Sequence, residues 1–112
     1  MENPLHPVLT IRLFSDEKAF GPGIAQLLEH IDTLHSLRKA AAEMGMAYSK
    51  AWTIMKNSAK ALGFPLVITA VGGKEGGGTE LTPEARKLLA DYREYCRKIR
   101  AYSEEIFADC FA

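Results

Sequence analysis

Between Ser36 and Gly63 apolar residues fall at helical spacing twice in succession, with an unusual set of polar residues on the second run. Leu37, Ala40, Ala41 and Met44 form a stripe that predicts a short helix. Gly45 comes next, where a helix stops by letting one residue turn left-handed without a Cβ penalty. A second helix is predicted to start near Ala47 or Tyr48. At about 100° per residue, Ile54, Ala47, Ser58, Ala51, Leu62, Met55, Tyr48, Ala59 and Trp52 fill one contiguous arc of it. Lys56, Ser49, Lys60, Thr53, Asn57 and Lys50 fill the other. Two helices joined by a tight turn containing Gly, with small alanines where they cross, make a helix-turn-helix pattern. In that motif the second helix commonly enters the DNA major groove.

The polar arc holds three lysines, three short hydrogen-bonding side chains and no acid. A solvated helix face normally mixes both signs, often as i,i+4 acid–base pairs. This face suits phosphates and base edges instead. Ser49, Lys50, Thr53, Lys56, Asn57 and Lys60 are therefore candidate DNA contacts, flanked by Arg38 and Lys39. Tyr48 and Trp52 lie at the boundary of the two arcs. Core packing against the chain beyond Gly63 is expected of both, and Tyr48 is also kept among the candidate contacts.

Before this pair of helices, Val8 to Phe14 alternates Leu9, Ile11 and Leu13 with Val8, Thr10, Arg12 and Phe14, which predicts a strand with one buried face. Ser15-Asp16-Glu17 reads as a turn. Pro22 suits the first turn of a helix whose stripe is Ile24, Leu27, Leu28, Ile31 and Leu34. Ser36 can cap the helix after it. Beyond Gly63, residues 66–71 are β-rich and predict a strand, residues 72–78 a glycine loop, and Thr79-Glu80-Leu81 a returning strand. A hairpin directly after a helix-turn-helix is a wing, with Lys74 near its tip. The loop lacks the order of residues and the helix after it that a phosphate-cradling P-loop needs.

Thr82-Pro83-Glu84 opens a last helix, predicted over 83–111, with Thr82 as cap and Pro83 at the first position. Ala85, Tyr92, Ile99 and Ile106 recur every seven residues, with Leu88 or Leu89, Tyr95 or Cys96, Tyr102 and Cys110 in the seam between. Such a period needs a partner helix. The expectation is a homodimer whose interface includes Tyr92, Cys96, Ile99, Tyr102, Ile106 and Cys110.

Composition narrows this little. The chain has 112 residues, enough for one domain spanning 1–112, and its net charge is zero. The charge is unevenly placed: Arg38, Lys39, Lys50, Lys56 and Lys60 face only Glu43 within residues 36–60. Local field, not total charge, steers a ligand to a surface. No run approaches a membrane span, and the N-terminus lacks the pattern of a secretory signal, so the expected location is cytoplasmic. Cys96 and Cys110 are too far apart on one helix to bridge. His6, His30 and His35 make no metal-ligand pattern. No Ser-His-Asp arrangement, carboxylate pair or reactive-cysteine setting points to an enzyme, and no cofactor is expected.

The series Gly45-Met46-Ala47-Tyr48-Ser49-Lys50-Ala51-Trp52, then Pro65-Leu66-Val67, then residues 72–78, then Leu81-Thr82, resembles the N-terminal winged helix-turn-helix of ModE-type molybdate-responsive regulators. LysR-type domains are more distantly similar. The resemblance spans about Leu9 to Leu89 and implies an α+β, mostly α, domain. It would have an N-terminal strand, a two-stranded wing and a long C-terminal helix. It also implies a dimer that binds double-stranded DNA with the second helix of the motif. The family usually has Ser where this chain has Ala47, so a helix cap is expected to be lost. Family regulators carry further oxyanion-binding domains. None is read in this chain, so molybdate sensing is not expected of it, and its effector is not legible. Two other readings stand beside this one: a protein-interaction winged helix that never binds DNA, and a small regulator holding an oxyanion or metal complex at a dimer interface.

Overall fold

The structure, a computed structural model, describes residues 4–69 and 78–112. The chain order is β1 (Leu13–Phe14), β2 (Lys18–Phe20), α1 (Pro22–Leu34), α2 (Leu37–Glu43), α3 (Tyr48–Leu62), β3 (Val67–Thr69), β4 (Thr79–Leu81) and α4 (Pro83–Cys110).

The helix-turn-helix closes as its residues require. Ser36 caps α2, accepting from the Lys39 N–H at 3.1 Å. At the other end Gly45 takes φ +67°. Its N–H reaches the Ala42 carbonyl and the Met46 N–H reaches that of Ala41, both at 3.0 Å. These are the two bonds of a Schellman stop, and a side chain at Gly45 would strain that conformation. Ala40, Ala41 and Ala51 are buried where α2 meets α3. Below them Ile24, Leu27, Leu28 and Ile31 of α1, with Phe20, Leu66, Leu81, Ala85, Tyr92 and Cys96, make a single core.

The wing hairpin pairs antiparallel, with Val67 opposite Leu81, Ile68 opposite Glu80 and Thr69 opposite Thr79. Thr82 fastens its base. Thr82 Oγ1 accepts from the Ala85 N–H at 3.1 Å and donates to the Pro65 carbonyl at 2.8 Å, and the Thr82 N–H reaches the Leu66 carbonyl at 3.0 Å. One residue thus caps α4 and ties it to the segment that leads into β3. His35, at φ +56°, turns the chain out of α1. Its carbonyl accepts from the Thr79 N–H at 2.9 Å, and its ring sits 3.0 Å from Glu80. The tip of the wing, and with it Lys74, lies outside the described residues.

Two expectations are corrected. Residues 8–14 do not form a strand along their length; pairing begins at Leu13, with β2, a strand that periodicity alone does not reveal. The alternation itself has the right sense. Leu9, Ile11 and Leu13 are half-buried while Val8, Thr10, Arg12 and Phe14 are exposed. The surface they meet is α4, not another strand: the Tyr92 hydroxyl donates to the Ile11 carbonyl at 2.7 Å, and Pro7, Val8 and Leu9 line a cleft with Arg100 and Glu104.

The second correction concerns α4. Tyr92 and Cys96 are buried inside the chain's own core, Tyr92 meeting Phe20 edge-on at 5.1 Å. They are already covered and so drop out of the expected partner seam. The outward face instead carries Tyr95, Tyr102 and Ile106, all exposed, with Ile99 half-buried and Cys110 exposed. At its early end α4 is clamped to α1 by Arg93 on Glu29 and by Arg86 on Asp32 at 2.6 Å. Its late half projects, which gives the molecule a 59 Å long axis against 33 and 21 Å. No helix among the described residues is long and apolar enough to cross a membrane.

Candidate nucleic-acid interface

The face of α3 opposite the core is what the arc plot predicts. Ala51, Met55 and Ser58 are buried, and Ser58 donates its hydroxyl to the Ala19 carbonyl of β2. Ser49, Lys50, Thr53, Lys56, Asn57 and Lys60 are all exposed. Thr53 spends its hydroxyl proton on the Ser49 carbonyl at 3.0 Å, so it offers a ligand its methyl group and an acceptor. Lys50, Lys56 and Lys60 make no ion pair with a carboxylate among the described residues. Nor do Arg38 and Lys39, both exposed on α2.

The start of α3 is bare. Ala47 occupies the N-cap in extended conformation and supplies no side-chain acceptor, as expected. Arg38 reaches over from α2 and lies 4.2 Å above the Tyr48 ring, a cation–π contact that holds its charge beside this end of α3.

Tyr48 and Trp52 are not core residues. They are 39% and 48% exposed. Met55 and Leu66 take the buried places between α3 and the base of the wing, leaving the Trp52 ring along the rim. The Lys56 ammonium stands 5.3 Å from its centre. Trp52 and Lys56 thus line one wall of a groove of about 280 Å³, with Val67 and Thr69 of β3 on the other.

Sequence reasoning also missed what stands at the far end of α3. The turn between β1 and β2 packs there, with Ser15 donating to the Ala61 carbonyl at 3.1 Å. Asp16 and Glu17 share a shallow cleft with Lys60, and Glu17 and Lys18 line a second with Asn57 and Lys60. The arc is free of acid along its own helix but not in space. Only the β1–β2 pairing, built from very short strands, could have revealed this.

No group of His, Cys, Asp or Glu among the described residues is arranged to hold a metal ion. The geometry is that of a surface, with exposed cations on a rigid helix between the acidic β1–β2 turn and a hairpin.

Three packed helices, with α2 and α3 joined by a Schellman turn and an antiparallel hairpin returning into α4, define a winged helix-turn-helix. No protein-family model matches the chain. Curated relatives do. The chain is 40% identical over 72 residues to the molybdenum transport protein ModE of Herbaspirillum seropedicae, covering 64% of this chain and 27% of that one. It is 34% identical over 86 residues to the DNA-binding transcriptional dual regulator ModE of Escherichia coli strain K12, covering 76% and 32%. It is 42% identical over 66 residues to the molybdenum-pterin-binding protein MopB of Rhodobacter capsulatus, covering 59% and 24%. The winged-helix domain of this chain is of the ModE type. The matches span about a quarter to a third of those relatives' length.

Proposed function

We propose that this chain binds double-stranded DNA through α3 and the adjoining wing as a transcription regulator, and that it does so as a homodimer. The observation that carries the reading is the exposed polar face of α3. Lys50, Lys56, Thr53 and Asn57 project from one rigid helix, with Arg38 held beside its first turn. Lysines there meet phosphates, and Asn57 and Ser49 offer hydrogen bonds to base edges. Some of the relatives are named as DNA-binding or transcriptional regulators, which supports the same reading. A homodimer would pair the outward face of α4, Tyr95, Ile99, Tyr102 and Ile106, and so cover an apolar stripe that a monomer leaves in water.

The test is duplex binding as a function of salt. Phosphate neutralisation releases counterions, so affinity should fall steeply as salt rises from about 50 to 200 mM. A footprint of roughly six to ten phosphates would cost about 10³- to 10⁵-fold over that range. Lys56→Glu should weaken binding and flatten that slope while leaving the circular dichroism spectrum unchanged, because Lys56 is exposed. A folded wild type with no affinity for a duplex recovered from a random-sequence selection would leave the protein-interaction reading in its place.

A further inference from the structure

The lysines of α3 do not stand in equivalent surroundings. Lys50 and Lys56 face solvent near Arg38, Tyr48 and Trp52, with no carboxylate among the described residues within ion-pairing distance. Lys60 sits in the last turn of α3 and shares two clefts with the β1–β2 turn, one of about 260 Å³ lined with Asp16 and Glu17, the other of about 420 Å³ lined with Glu17, Lys18 and Asn57. Both acids are exposed, so they act on whatever approaches that end of the helix. Lys18, next in the chain, lines the second cleft and lies across Gly21 beside Arg12. Asp16, Glu17, Lys18 and Lys60 together carry no net charge, and the carbonyl end of the helix adds a partial negative charge there.

Resting on the DNA-binding reading above, we infer that the Asp16-Glu17 turn marks the end of the DNA footprint: it holds the phosphate backbone away from the C-terminal end of α3, so that Lys60 balances the turn and the helix terminus and makes no phosphate contact. The recognition helix then presents its N-terminal half to DNA, where Ser49, Lys50, Thr53 and Lys56 project. The turn is a specificity device as well as a spacer. A register that slid the duplex toward Lys60 would bring phosphates against two carboxylates, a like-charge juxtaposition that disfavours the wrong docking.

The experiment is a set of variants measured by fluorescence anisotropy on a labelled mixed-sequence duplex and on a duplex recovered from random-sequence selection. Asp16→Asn with Glu17→Gln should tighten binding to the mixed-sequence duplex by about two- to fivefold at low salt, and the gain should fade as the screening length shrinks from about 10 Å at 0.1 M salt. In the wild-type background Lys60→Ala should change affinity less than Lys56→Ala does. In the Asp16→Asn, Glu17→Gln background Lys60→Ala should cost affinity, because the released ammonium is then available to phosphate. Glu17→Lys serves as a second probe with a larger expected gain. All these positions are exposed, and thermal melts of each variant check that the fold is kept. If the wild type binds and neutralising both acids leaves affinity unchanged or lowers it, or if Lys60→Ala already matches Lys56→Ala in the wild type, the inference is overturned. A folded wild type that binds neither duplex overturns the DNA-binding reading itself, and the footprint with it.

Discussion

Tyr92→Phe isolates one atom that joins the N-terminal segment to the rest of the molecule. The hydroxyl donates to the Ile11 carbonyl at 2.7 Å, and the ring packs edge-on against Phe20 at 74°. Phenylalanine keeps the ring and its burial, so no cavity opens. What is lost is the donor to a half-buried carbonyl, at about 1–2 kcal/mol. For a domain of this size that lowers the Tm by roughly 4–12 °C. Tyr92→Ala would add the transfer and cavity cost of an aromatic ring, for about 3–5 kcal/mol in all. The same residue gives a second readout. Burial pushes the Tyr92 hydroxyl above its ordinary value of 10.0, and the neighbouring Cys96 thiol pushes it the same way. The unfolded chain therefore ionises first. The wild type holds this contribution in full below pH 10.0 and loses it as pH rises through the folded value. The Phe variant has no such group, so the Tm gap between the two proteins should narrow above pH 10.0. Calorimetry of both proteins across that range is the assay. Equal Tm values at neutral pH, or a gap that stays constant into alkaline buffer, would show that the Tyr92–Ile11 bond does not hold the segment.

Thr82→Ala should destabilise by about 1–3 kcal/mol in a urea melt, since it removes the α4 cap and leaves the Pro65 carbonyl without its donor; Thr82→Ser should recover most of that. Ala47→Ser should raise stability by about 0.5–1 kcal/mol by supplying the acceptor missing from the N-cap of α3, and an unchanged midpoint would mean that the cap backbone cannot present the hydroxyl. Ile99→Glu with Ile106→Glu should leave the core intact, because neither residue is in it, yet reduce the molecular mass seen by light scattering from that of a dimer to that of a monomer; a wild type that stays monomeric across the micromolar range would refute the proposed α4 seam.

Local pattern carried the sequence reading wherever the chemistry is local. Ser36 and Thr82 cap the helices they were assigned to, Gly45 is left-handed, and the Ile24-Leu27-Leu28-Ile31 stripe is buried, because each depends on neighbours within one or two turns. The exposed arc of α3 was legible for the same reason. What failed depends on which distant surface comes to meet a residue. Alternation at Leu9, Ile11 and Leu13 reported a buried face but could not say that a helix covers it. Tyr92 and Cys96 fit a heptad as well as they fit a domestic core, and only the path of residues 8–14 across α4 decides between the two. Trp52 is large and apolar, yet Met55 and Leu66 fill the space it would need. Asp16 and Glu17 lie far from Lys60 in the chain and reach it through a pairing of two very short strands.

The zero net charge of the chain looks like an objection to DNA binding, and the arrangement of the ion pairs answers it. Four of the six basic residues of α4 are matched on the spot: Arg86 with Asp32 and Glu80, Lys87 with Asp91, Arg93 with Glu29, Arg97 with Glu94. Pairs this exposed add little stability, about 0–1 kcal/mol each. Burial of Tyr92, Cys96 and Ala85 does more to seat the helix. What the pairs do accomplish is to cancel the field over the α1–α4 side of the molecule. The cations left without such partners among the described residues include Arg38 and Lys39 of α2 and Lys50 and Lys56 of α3. All four are exposed on the two helices of the helix-turn-helix. A polyanion approaching the protein would therefore meet a cluster of unpaired basic groups on the helix-turn-helix, and within the Debye length of about 8 Å that applies at physiological salt such a cluster favours approach from that side.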